Sequence, residues 1–139
     1  MKKTLTSTLS IALSLLLLVC LAACKSEVDP WDSATYLENT EIGSGEKTLV
    51  VEVKANDRSV TFTIHTNQTT VGAAMIEHQL LAGEEGAYGL YVKSVNGMVA
   101  DFDVDQTYWA FYVNGEYAMT GVELTEITEG ATYQLVYTK

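Results

Sequence analysis

YWAFYVNGEYAM, Tyr108 to Met119, sets an Asn-Gly pair between two runs of large apolar and aromatic residues. Asn and Gly both accept positive φ, so a two-residue Asn-Gly turn is the strongest short signal for a β-hairpin. A second pair, Asn96-Gly97, stands between GLYVKSV and MVA, and TYQLVYT at the end of the chain reads as a further strand. The C-terminal half of the chain is thereby committed to antiparallel strands.

Upstream, LVVEVKA (Leu49 to Ala55) and SVTFTIHT (Ser59 to Thr66) alternate apolar and polar residues around Asn56-Asp57-Arg58. That period of two predicts a hairpin with a half-buried face of Leu49, Val51, Val53, Val60, Phe62 and Ile64. NQTT then offers an N-cap at Thr69 or Thr70, and VGAAMIEHQLL predicts a helix running to Gly83. Val71, Ala74, Met75 and His78 fall on one side of it. GEEGAYG reads as an acidic loop. Two strands, one helix and several strands predict an α+β domain: a β-grasp-like mixed sheet with one helix packed on one face.

A two-residue turn at Asn114-Gly115 pairs Val113 with Glu116, Tyr112 with Tyr117, Phe111 with Ala118 and Ala110 with Met119. Alternation then puts Trp109, Phe111, Val113 and Ala118 on the core side. Tyr108, Ala110, Tyr112, Tyr117 and Met119 occupy the other. That second side is amphipathic, with phenol hydroxyls that want water or a partner. It is also built from residue types that give adaptable contact area, and cross-strand tyrosine pairs support a sheet by themselves. Tyr108, Tyr112, Tyr117 and Met119 are the expected ligand contacts, with Tyr91 and Tyr133 or Tyr137 as extensions of the same face.

The N-terminus addresses location. MKKTLTSTLSIALSLLLLVCLAAC has two lysines, a polar stretch and an apolar run from Ile11 to Val19. The run is too short for a permanent span and has the layout of a secretory signal. Leu21-Ala22-Ala23-Cys24 resembles a bacterial lipobox, which implies cleavage before Cys24 and acylation of its sulfur. The expected organisation is a signal peptide over 1–23, a lipidated tether over 24–45 and one domain over 46–139. Trp31 and Tyr36 are candidates for docking the tether onto the domain. The expected location is extracytoplasmic, on the membrane through the Cys24 lipid.

Cysteine and charge exclude several classes of function. Cys20 and Cys24 are the only cysteines, so the domain has no disulfide, no thiolate nucleophile and no cysteine-ligated metal. All 18 acidic residues lie beyond Cys24. Six of the 8 basic residues lie there with them, since Lys2 and Lys3 precede it, and a net charge of −12 results. Such a domain repels phosphate backbones, which argues against nucleic acid as a partner. There is no Gly-x-Ser-x-Gly elbow, no recognisable triad around either histidine and no glycine-rich phosphate loop. A non-enzyme is expected. DFDVDQ places Asp101, Asp103 and Asp105 at alternate positions, as at the start of a calcium loop. Gln106 stands where that loop needs glycine, and Tyr112 where it needs a bidentate glutamate. In an extended segment the three carboxylates would project to one side as a weak metal site, against the alternative of a solvated acidic loop.

Tyr108 to Tyr137 resembles the C-terminal domain of transcobalamin and intrinsic factor, and more closely the bacterial lipoproteins that carry a transcobalamin-like domain. The likeness rests on the Tyr-Trp opening a strand, the short hairpin, Gly121-Val122, and Gly130 before a strand ending in Tyr. Gly43-Ser44-Gly45 and Thr70-Val71-Gly72 extend it over about residues 41 to 139. The resemblance implies a β-grasp-like fold and capture of cobalamin or another corrinoid, with delivery to a membrane transporter as a further implication. The large helical domain of the vertebrate carriers has no counterpart here, so a lone copy covers only part of such a ligand. His65 and His78 are the only histidines available as cobalt ligands. The expected function is a non-catalytic binding lipoprotein. A protein-interaction or adhesion module and a calcium-binding lipoprotein are the alternatives.

Overall fold

The computed structural model describes residues 27–139; the expected signal peptide and Cys24 lie outside them. Among these residues nine strands form two sheets, accompanied by one 3-10 turn and two short α-helices. The larger has six strands: β1 (Thr40–Gly43), β2 (Lys47–Ala55), β3 (Arg58–Thr66), β7 (Tyr108–Val113), β8 (Glu116–Tyr117) and β9 (Thr132–Thr138), in the order β1-β3-β2-β9-β7-β8. The first hairpin (β2–β3) is antiparallel, and the last strand returns parallel to β2 at the centre. Helix α1 (Val71–Glu77) follows the hairpin, as the β-grasp plan requires.

Alternation decides the two faces of this sheet. Leu49, Val51, Val53, Val60, Phe62, Ile64, Phe111, Tyr133 and Leu135 point inward and are buried. Thr61, Thr63, Glu52 and Gln134 lie outside, and Gln134 Nε2 donates to Glu52 Oε2 at 2.6 Å. The register Tyr112↔Tyr117 and Val113↔Glu116 agrees with the pairing read from Asn114-Gly115, where φ is 51° and 82°. Trp109 and Phe111 are on the buried side, as expected. Tyr133 and Tyr137 are there too, opposite Val113 and Trp109, so they do not extend the outer tyrosine face. Tyr133 stacks on Phe111 with centroids 6.3 Å apart, and Tyr137 meets Trp109 edge-on at 5.5 Å.

α1 is shorter than the periodicity implies. Thr70 caps it through its hydroxyl, which accepts from the Ala73 N–H at 3.3 Å. It ends at Glu77 because Gln79 turns to φ 57°, with Gln79 N–H bonded to Ile76 C=O and Leu80 N–H to Met75 C=O. This is a Schellman stop with glutamine in the position glycine usually holds, so the composition did not announce it. The released Leu80 and Leu81 are buried. Leu81–Gly86 forms β4, pairing with β5 (Gly89–Val95), which pairs in turn with β6 (Met98–Val99). The acidic stretch read as a loop is therefore largely an edge strand.

The segment read as a tether is part of the domain from Asp29 onward. Residues Pro30–Ser33 form a 3-10 turn capped by Asp29, and Trp31 is 3% exposed. Its indole N–H donates to the Ala55 carbonyl at 2.8 Å, and the Arg58 guanidinium lies 4.6 Å from its ring. Asn96 Nδ2 donates to the Tyr36 carbonyl at 2.8 Å, while Asn96 Oδ1 accepts the Tyr36 N–H at 2.9 Å. β1 then joins β3 in parallel, over a stretch with no apolar–polar alternation to read. Trp31→Ala is expected to cost about 3–5 kcal/mol in chemical denaturation. A chain starting at Glu46 should lose at least as much, whereas a free tether would leave both unchanged.

Candidate ligand-binding cleft

β8 is two residues long, so most of the outer edge of β7 has no strand beside it. The last bond on that edge runs from the Ala118 N–H to the Phe111 carbonyl at 2.9 Å. Backbone groups alternate direction along a strand, so the N–H and C=O of Trp109 point to the same open side. The chain from Ala118 to Val122 swings away from β7, and the start of β5 stands opposite. Between them lies a cleft of about 340 Å³ lined by Leu90, Tyr91, Tyr108, Trp109, Tyr117 and Met119, among others. Its floor is apolar and its rim carries phenol hydroxyls, a combination suited to flat ligands with polar edges.

The floor is fixed from behind. Trp109 is held from within by an indole N–H bond to the Met98 carbonyl at 3.2 Å, which ties β7 to β6. The rim is fixed by Glu123. Its Oε1 accepts the Leu90 N–H at 3.0 Å, joining the Gly121–Glu123 segment to β5. Gly89, with φ 105°, leaves room for that carboxylate; a Cβ there would fall 2.2 Å from Oε1. Glu123 Oε2 is buried with no partner among the described residues.

Three of the four expected contacts meet at this cleft: Tyr108, Tyr117 and Met119. Tyr117 is 61% exposed and Met119 96%. Tyr112 stands beside the cleft, its ring edge-on to Tyr117 at 5.5 Å. Sequence reasoning missed Leu90, Val92 and, on the rim, Ala118 and Thr120 to Val122, because nothing in a linear pattern brings β5 beside β7. Tyr91, noted as an extension, does reach the cleft, with Lys93 Nζ 5.4 Å from its ring.

The three aspartates are not extended and do not converge. Phe102–Asp105 is a helical turn, α2, with Asp101 as its N-cap accepting from the Asp103 N–H. Lys93 Nζ lies 3.5 Å from Asp101 Oδ2. Asp105 takes both the hydroxyl and the amide of Thr107, and these bonds hold its carboxyl below the ordinary range. No group of three His, Cys, Asp or Glu side chains placed to hold a metal occurs among the described residues. The histidines lie away from the cleft. His65 bonds Glu41 at 2.7 Å and Thr48 at 3.0 Å. His78 caps α1, with Nε2 buried against Gly43.

Glu123→Ala removes the acceptor for the Leu90 amide and is expected to cost about 1 kcal/mol. Amide exchange at Leu90 should quicken at the same time. Glu123→Gln keeps an acceptor and should leave that amide protected.

Comparison with known proteins follows the same architecture. A crystal structure of a protein from Ruminococcus gnavus ATCC 29149, described as a "putative metal binding protein", superposes with a TM-score of 0.63 at 28% identity. The match covers 68% of this chain and 98% of that one. Haptocorrin in complex with Cbi superposes with a TM-score of 0.54 at 19% identity, over 67% of this chain and 25% of the haptocorrin chain. At that identity the likeness shows the fold. No curated protein matches the sequence. Residues 68–139, from just before α1 through β9, match the domain of unknown function DUF4430, and the chain belongs to that family.

Proposed function

We propose that this protein is a non-catalytic binding lipoprotein, anchored outside the cytoplasm through Cys24, that takes a flat, partly apolar ligand of the corrinoid kind in the β7-edge cleft. The observation that carries the reading is the cleft itself. An exposed edge brings Tyr91, Tyr108, Tyr117 and Met119 around an apolar floor that packing holds in place. The lining, chiefly hydrophobic and phenolic, supports a binding role. The haptocorrin likeness supplies the ligand class to test first, and 340 Å³ matches part of a corrinoid. The rest of such a ligand would stay exposed or meet a second protein, such as a membrane transporter.

A metal-binding role draws on the description of the Ruminococcus gnavus protein. In this chain Asp101 and Asp105 are engaged by Lys93 and Thr107, which makes the aspartates weaker support than the cleft. The adhesion or partner-docking alternative uses the same edge, since an extended segment can add to an open strand.

Mixing with cobinamide should give a saturable change in its visible spectrum. Joint replacement of Tyr108 and Tyr117 by Ala should weaken binding about tenfold or more, given roughly 0.5–1.5 kcal/mol per aromatic contact. Both side chains are partly or largely exposed, so the fold should survive. No response at millimolar cobinamide would remove the corrinoid reading and favour partner docking.

A further inference from the structure

One end of the domain carries exposed apolar side chains that do not line the cleft. β2 runs parallel to β9, so the C-terminal ends of both strands, the Asn56-Asp57 turn and the start of β7 lie together. The chain enters at this end, where Lys139 Nζ meets Glu27 Oε1 at 3.1 Å. α2 is there as well. Asp105 borders the same depression as Val28 and Lys139, and the Phe102 ring lies edge-on to Tyr108 at 6.5 Å. Val28 is 81% exposed, Phe102 54% and Val104 80%.

Residue numbering fixes how far this end can lie from a lipid on Cys24. Three peptide units separate Cys24 from Glu27, a reach of at most about 11 Å at roughly 3.8 Å per unit. Because Asp29 to Gly43 is bound into the domain, no long leash holds it away from the bilayer. Even counted to Asp29, the tether reaches at most about 19 Å, which keeps this end within reach of the lipid surface, where exposed Val and Phe side chains gain by entering the interface.

We propose that this end is a membrane-contact surface, with Val28, Phe102 and Val104 seated in the bilayer that Cys24 is acylated into. The proposal rests on the Cys24 anchor of the proposed function. The carboxylates around these side chains (Glu27, Asp29, Asp101, Asp103 and Asp105) outnumber Arg58, Lys93 and Lys139. The contact therefore suits zwitterionic lipid and depends on the anchor to form. It also fixes the orientation of the domain: the Tyr108 end of the cleft faces the membrane, and Asn114-Gly115 faces away.

The test uses the full-length lipoprotein purified from membranes and reconstituted in phosphatidylcholine vesicles. Acylated Cys24 is closed to thiol reagents, so Val104→Cys provides a single labelling site. Glu129→Cys, before the opposite end of β9, is the control. With a fluorophore on each, nitroxide-bearing lipid should quench the Val104→Cys label severalfold more than the Glu129→Cys label. The Val104→Cys emission should also shift to the blue. Equal quenching at both sites overturns the contact. Thiol labelling of the unmodified protein at Cys24 overturns it differently, by removing the anchor, and leaves cobinamide binding to be judged separately.

Discussion

Covering one face of the six-stranded sheet is the constraint on which the structure depends. Strands about 4.8 Å apart make that face roughly 24 Å across, while a seven-residue helix is only about 10 Å long. α1 alone cannot dry it. The inner side chains are nevertheless buried from Val60 and Phe62 on β3 to Phe111 on β7. The deficit is made up by two elements outside the helix. The three-stranded sheet contributes Leu81, Val95 and Met98, and the N-terminal segment contributes Trp31.

The cleft follows from that solution. The second sheet reaches β7 through the Trp109–Met98 bond and the Gly121–Glu123 segment through the Glu123–Leu90 bridge, but no ladder joins the two sheets. β8 stops after two residues, so the edge of β7 borders a gap instead of a strand. Apart from Tyr91 on β5, the aromatic rings that line the gap belong to a hairpin whose inner side is locked by Tyr133 and Tyr137. A rigid floor beside an unpaired edge is an arrangement suited to binding, and it holds the cleft open without a large moving part.

Local signals carried much of this fold. The Asn-Gly turns, the alternation of β2 and β3, the Thr70 cap and the sorting of the β7 face were all readable, because each depends on neighbours in the chain. The remainder depended on contacts distant in sequence. Gln79 stops α1 by backbone geometry that glutamine rarely advertises, and that stop releases Leu80 and Leu81 to the second sheet. Trp31 was visible as a candidate anchor, but its partner, the Ala55 carbonyl, is set only by the folded hairpin. The same holds for the site. Tyr108, Tyr117 and Met119 were legible from hairpin register, and the β5 wall was not, because only the two-sheet packing brings it there. Asp101 and Asp105 show the opposite case: a suggestive spacing that local backbone bonds absorb.

The most direct test of the account is residue-resolved amide exchange along β7 in the free protein. The Ala110 and Tyr112 amides, directed at β9, should exchange slowly, and Trp109, directed at the cleft, should exchange much faster. Protection of Trp109 equal to theirs would mean that the edge is already occupied, and would contradict the open cleft.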